Sequence, residues 1–251
     1  MNGTLLPDAA LRARVADNLA EVRGRIAGAC ARAGRDPAAV TLVGVTKTVP
    51  VPAIRAALDA GLAVLGENRV QEALPKLDEL PGARWHFIGE LQRNKARRVA
   101  ERFELIHSID SLRLGEALVR IGEELGRPVK ALVELNVGGE ASKAGIEPEE
   151  LEPLLRGLAG RPGLAIRGLM AVPPPVDDPE QARPYFRRLA ELARAADALG
   201  LPGVAMDELS MGMTHDFEVA IEEGATFVRV GTGIFGARAV PEPIGELPRP
   251  G

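Results

Sequence analysis

Residues 40–50 read VTLVGVTKTVP, a short apolar run rich in β-branched side chains that leads into a lysine and then a proline-containing turn. Residues 40–46 lack polar alternation, the pattern of a strand buried on both faces of a parallel sheet. Upstream, Leu11, Val15, Leu19, Val22 and Ile26 recur at helical spacing, so residues 9–32 read as one long helix with Asp8 as its cap. Downstream, the same alternation repeats. Strands are expected at 63–65, 85–88, 105–109, 129–137, 165–170, 206–210 and 226–230. Helices are expected at 51–60, 70–77, 94–103, 111–125, 149–158, 179–199 and 216–223.

Regular strand–helix alternation allows every strand to be parallel. A doubly wound open sheet also fits. Eight such units in about 200 residues, with no glycine fingerprint after the first strand, favour a (β/α)8 barrel of the TIM type with an extra N-terminal helix. No internal boundary is visible, so residues 1–238 read as one α/β barrel domain. Residues 172–184 are the most loop-like internal segment, and AVPEPIGELPRPG, residues 239–251, reads as a mobile proline-rich tail.

The 251 residues are 46% hydrophobic, enough for a large core. The 31 basic and 35 acidic residues are scattered and give a net charge of -4, which argues against nucleic acid as the main partner. Aromatic content of 3% argues against a base-stacking platform. Cys30 has no internal disulfide partner, and the N-terminus lacks a basic start followed by an apolar run. No apolar stretch reaches the roughly 20 residues of a membrane span. A cytoplasmic protein is therefore expected, and the lack of a long apolar edge suggests a monomer.

In such a barrel the site forms at the C-terminal strand ends. Standing there are Lys47, then Glu67 with Asn68, His86 with Gly89, and Ser108 with Asp110. Asn136, Met170, Ser210 and Gly231 with Thr232 follow on the later strands. Thr41, Val43, Val45 and Lys47 share one face of the first strand. If that face points inward, Lys47 loses solvation, its ammonium form is disfavoured and its amine becomes a nucleophile toward an aldehyde. From position alone, a solvated lysine opening a loop is the simpler reading. SMGMTHDF, residues 210–217, and GTGIFG, residues 231–236, add two small-residue turns whose backbone amides suit a phosphate dianion. Barrels often bind phosphate after strands seven and eight. An aldehyde-reactive lysine and a phosphate cradle describe a ligand with both groups, and pyridoxal 5'-phosphate fits. Arg229 would face its ring, leaving the pyridine nitrogen unprotonated and the ring a poorer electron sink.

The motifs VGVTKTVP (43–50), GENRVQEALPK (66–76), WHFIGELQRNK (85–95), IHSIDS (106–111), ELNVGGEASKAG (134–145), GLMAV (168–172) and ELSMGMTHDFEVAIEEGATFVRVGTGIFGAR (208–238) span nearly the whole chain. On them the chain resembles the pyridoxal phosphate homeostasis protein family, similar in fold to the N-terminal barrel of alanine racemase. The resemblance implies a Schiff base on Lys47 and a phosphate held around Ser210, Met211, Gly231 and Thr232. It also implies Arg229 near the pyridine nitrogen, with Asn68, His86 and Asn136 lining the ring pocket. Such proteins bind, buffer or deliver the cofactor, with pyridoxal phosphate-dependent apo-enzymes as transient partners and no established turnover. Glu90, ELN in place of QVN, and GTGIFG in place of GTAIFG depart from the family pattern.

Competing chemistries find less support. A racemase on the same barrel needs an acid/base group on each face of its substrate, and Lys47 serves one. The tyrosine that alanine racemase supplies from a second domain has no counterpart, since Tyr185 falls in the expected seventh helix. A Schiff-base aldolase would place its lysine on a later strand, whereas the sixth carries Arg167. GGEASKAG around Lys143 fails the nucleotide-loop spacing, Ser210 lies outside a G-x-S-x-G setting, and His86, His107 and His215 form no metal-ligand pair by spacing.

Overall fold

Residues 8–139 and 144–236 are described by the computed structural model. Eight strands among them pair in parallel and close into a barrel: β1 (Thr41–Val45), β2 (Val64–Glu67), β3 (Arg84–Phe87), β4 (Leu105–Ile109), β5 (Val129–Glu134), β6 (Leu164–Met170), β7 (Val204–Met213) and β8 (Phe227–Val230). The seam is β1 against β8, with Val43 beside Arg229. The surrounding helices are α1 (Ala9–Arg32), α2 (Val51–Asp59), α3 (Val70–Glu79), α4 (Ala96–Arg102), α5 (Leu112–Leu125), α6 (Leu151–Leu158), α7 (Arg183–Asp197), α8 (Phe217–Glu222) and the short α9 (Thr232–Phe235). The closed barrel expected from strand–helix alternation is the fold observed.

Because side chains alternate across a strand, the apolar residues divide into two sets. Val43, Val64, Leu105, Leu132, Met170 and Phe227 fill the barrel interior. Outward residues such as Leu65, Phe87 and Leu169 pack with Leu118, Phe186 and Ile221 of the helical layer. Helix α1 buries Val15, Leu19, Val22 and Ile26 against α2, α8 and α9, so it covers the outside of the seam. Asp8 caps it by accepting the Leu11 N–H at 2.6 Å, and Asn18 ties it to α9 by donating to the Ile234 carbonyl at 2.9 Å.

The ends of two strands and the starts of three helices differ from the sequence expectation for physical reasons. β5 stops at Glu134, not residue 137, because the backbone beyond it pairs with a later loop: Ile146 N–H donates to Glu134 O and Asn136 N–H to Ile146 O, both at 2.9 Å. β7 continues to Met213, so residues 210–213 are strand and not the expected turn. Its register against β8 shifts between Ser210 and Met213, where Gly212 sits at φ +87°, and the strand bulges there. The expected starts of three helices are tight 3-10 turns, Arg93–Lys95, Pro148–Glu150 and Pro179–Ala182. A second bulge lies in β6, whose register shifts against both β5 and β7 as the chain reaches Gly168. There the backbone meets β7 so closely that a Cβ would overlap the Glu208 carbonyl. The proline-rich tail expected at 239–251 and Lys143 lie outside the described residues. Among those described, no helix is long and apolar enough to cross a membrane.

Candidate functional site

Polar side chains share the barrel interior with the apolar six. His86 and His107 both pack on Phe227, with ring centroids 5.3 and 5.5 Å away. His86 Nδ1 lies 3.0 Å from His107 Nε2, and His107 Nδ1 lies 2.8 Å from Ser210 Oγ. Arg229 Nη1 donates to Ser210 Oγ at 2.6 Å and Nη2 to the Ala171 carbonyl at 2.9 Å. Arginine only donates, so it fixes the direction of its bond to Ser210. The Ser210 hydroxyl accepts from Arg229, which leaves its own proton available; in the His107 tautomer with Nδ1 unprotonated that proton goes to Nδ1 and His107 donates through Nε2 to His86. Burial agrees with this arrangement. It pulls His86 down to about 4 and, with the charges of His86 and Arg229 adding, holds His107 well below its usual range, so both rings are neutral. Burial also lowers Arg229 to about 10 despite Glu134 and Asp216, which leaves it a cation at neutral pH.

Glu134 is a further interior group. It pairs in register with the inward-facing Met170, is 7% exposed, and its carboxyl has no hydrogen bond or ion pair among the described residues. Burial raises it to about 7; Arg229 opposes the shift while Asp110 and Glu90 add to it. A carboxyl raised on folding keeps a proton that the unfolded chain loses, so stability declines as pH rises from the ordinary value of 4.5 through about 7. The penalty above that window is about 3 kcal/mol. Glu134→Gln should remove this slope, becoming more stable than the parent at pH 8 and not at pH 4. Urea unfolding at both values measures it, and an unchanged difference between them refutes the assignment.

Lys47 lies two residues beyond the end of β1, in a turn, and is half-buried. It follows Thr46, whose hydroxyl is turned outward to Glu67. The turn is held closely. Thr46 N–H donates to Gly66 O and Val49 N–H to Thr46 O, each at 2.9 Å, while Thr48, at φ +63°, donates its hydroxyl to Lys47 O at 2.6 Å. After β2, Asn68 has a buried Oδ1 without a partner, and Gly89 of the next loop approaches so closely that a Cβ there would overlap the Asn68 carbonyl. Asn136 donates through Nδ2 to Glu147 Oε1 at 2.8 Å.

At the ends of β7 and β8, Thr214 and Thr232 bring their hydroxyl oxygens within 3.3 Å. Thr232 and Gly233 open α9, so their N–H groups have no acceptor within the helix. Gly233 is packed so that an added Cβ would lie 2.9 Å from Val230 and 3.2 Å from Thr214, so a side chain there would crowd both. Ser210 and Met211, both expected at the phosphate, lie on the extended β7. The Ser210 hydroxyl is wholly buried inside the barrel between His107 and Arg229, and the Met211 side chain packs in the outer core, so Met211 offers the mouth only its backbone. The reason is the extension of β7, which keeps strand alternation through both residues.

The His86–His107 contact, Glu134 and Thr214 were not singled out from the sequence. Strand phase held the signal for the first two, since each lies an even step from an inward apolar residue once neighbouring strands are aligned. His215 stays apart, exposed, with Nε2 2.9 Å from the Asp177 carbonyl. Among the described residues no three His, Cys, Asp or Glu side chains group as metal ligands.

The family model for the alanine racemase N-terminal domain matches residues 15–239. A protein of Aquifex aeolicus (strain VF5) named pyridoxal phosphate homeostasis protein is 46% identical over 225 residues, covering 88% of this chain and 97% of that one. The chain belongs to the pyridoxal phosphate homeostasis protein family. A pyridoxal phosphate homeostasis protein of Escherichia coli (strain K12) is 43% identical over 229 residues, 89% of this chain and 97% of its own. Among solved structures similar to this family member, PipY of Synechococcus elongatus PCC7942 with pyridoxal phosphate bound is 38% identical, with a TM-score of 0.76, covering 88% of this chain and 100% of that one. Alanine racemase of Clostridium difficile 630, at 14% identity and a TM-score of 0.69 over 91% of this chain and 58% of its own, shares the fold.

Proposed function

We propose that the chain holds pyridoxal 5'-phosphate in its barrel mouth, with Lys47 as the amine that takes the aldehyde, and carries or buffers the cofactor without strong turnover. The observation that carries this reading is the placement of a half-buried Lys47 after β1, next to the seam where β8 delivers the Thr232–Gly233 backbone and the Thr214 and Thr232 hydroxyls. The residues fit the cofactor. Unpaired helix-start amides and two hydroxyls suit a phosphate, the orphaned Asn68 Oδ1 suits a ring substituent, and Arg229 lies in the interior at the seam. The PipY structure with the cofactor bound supports the same reading.

When bound, the cofactor supplies an aldehyde for imine formation and a ring able to withdraw electrons. The rest is work of the chain. Arg229, anchored by Ser210 and Ala171, would set a fixed positive charge against the ring nitrogen and keep a proton off it. The neutral His107 and His86 hold Ser210 in that role. Asn136 would border the ring, and Met211 and Gly231 would contribute backbone to the phosphate. Tyr185 sits on α7, outside the barrel wall, where it offers no second acid/base to the mouth. The same reading makes apo-forms of cofactor-dependent enzymes the transient partners of a monomeric, cytoplasmic carrier.

The test is the absorption spectrum of the purified protein before and after borohydride, followed by peptide mapping. A reduced adduct on Lys47 is expected; a label on another lysine, or none, removes the assignment. Deuterium exchange at the α-carbon of a panel of amino acids should be slow, and rapid exchange with any of them defeats the carrier reading.

A further inference from the structure

The motif GENRVQEALPK sends Asn68 toward the mouth, yet its two charged ends meet on the other side of the strand. Glu67 closes β2 facing outward, with its side chain wholly buried. Lys76 on α3 reaches back, donating from Nζ to Glu67 Oε1 at 2.6 Å and to the Thr46 carbonyl at 2.6 Å. The Thr46 hydroxyl donates to the same Oε1 at 2.7 Å. Carboxylate, ammonium, hydroxyl and main-chain carbonyl thus form a closed set around the residue that precedes Lys47.

As a stabilising device this arrangement is poor. Burying two charges costs solvation that their attraction barely returns, and apolar replacements of equal volume often do as well or better. Glu67 Oε2 is also buried without a partner, which adds to the cost. The location supplies another purpose. The Thr46 carbonyl belongs to the planar peptide whose nitrogen is that of Lys47, so holding its oxygen fixes the plane from which the Lys47 side chain departs. The far side of Lys47 is held by the Thr48 hydroxyl, and the Thr46 carbonyl also accepts from Val49.

We propose that Glu67 and Lys76 are positioning residues that aim the Lys47 amine into the barrel mouth by clamping the peptide before it. The proposal rests on the reading of Lys47 as the aldehyde-reactive amine. A misplacement of about 1 Å costs roughly a hundredfold where a reacting group must be oriented, so loss of the clamp should be visible in any quantity that depends on the amine.

The experiment compares two ligands on the intact protein by isothermal titration calorimetry. Pyridoxal 5'-phosphate engages both the pocket and the amine, whereas pyridoxine 5'-phosphate, its alcohol, engages the pocket alone. Lys76→Met and Glu67→Gln should each weaken the aldehyde by about tenfold or more while leaving affinity for the alcohol unchanged. Thr46→Val, which removes one bond of the set and keeps the ion pair, should show the same selective loss in smaller measure and serves if Lys76→Met does not fold. Circular dichroism and thermal melting establish that each variant is folded. Equal losses for both ligands, or none for either, would overturn the proposal, because a merely structural ion pair has no means to favour one ligand. Lys47→Ala is the control: if it binds aldehyde and alcohol as the parent does, the reading of Lys47 has failed and the positioning role falls with it.

Discussion

Replacement of Lys47 by alanine is expected to abolish the yellow absorbance of the cofactor-loaded protein and to leave no borohydride-stable adduct, with the melting temperature of the cofactor-free protein unchanged from the parent. The expectation follows from where the lysine stands. It is half-buried in a turn beyond β1 and belongs to neither apolar set, so removing its side chain opens no core cavity. The turn itself is held by backbone and neighbouring hydroxyl groups, which the substitution leaves in place. What disappears is the amine. Pyridoxal phosphate should still bind weakly through its phosphate, so calorimetry should show a loss of affinity without complete loss of binding. Persistence of the imine spectrum in the variant would move the reactive lysine elsewhere.

The largest effect on stability is expected at Gly168, where alanine should cost more than about 4 kcal/mol. At this point β6 changes register against both neighbours, φ is +157°, and an added methyl would overlap the Glu208 carbonyl of β7. Main chain cannot yield as the end of a flexible side chain does, so β6 and β7 must part. Met170 and Ala171 follow directly, and Ala171 supplies the carbonyl that anchors Arg229. The variant should therefore combine a lower urea midpoint with weaker cofactor binding. A variant whose unfolding free energy is within about 1 kcal/mol of the parent would show that the bulge is pliable.

Every strand was legible in the sequence because each is a short apolar run set between helical periods, as 40–46 is between residues 9–32 and 51–60. Strand ends were less legible where tertiary pairing, not composition, decides them. Glu134 ends β5 because Ile146 captures the backbone that follows, and small residues at 210–213 remain strand because β7 bulges instead of turning. Within the site, Lys47 was singled out by its place after the first strand together with the small-residue turns after strands seven and eight, and Arg229 by its place beside the second of those turns. His86 and His107 required the phase of two strands at once, and so did the contact of Ser210 with Arg229. Thr214 was hidden because its contact is with a hydroxyl at the start of α9.

The seam between β1 and β8, covered by α1, has a consequence for the timing of cofactor capture. The proposed amine is carried on the first strand's turn and the amides proposed to hold phosphate follow the eighth strand, so the two become neighbours only when that strand docks. A nascent or truncated chain lacking β8 has the lysine without the cradle. Ligand that binds only the completed ring stabilises it by mass action, so cofactor supply should protect finished molecules from unfolding and leave unfinished ones exposed to proteolysis.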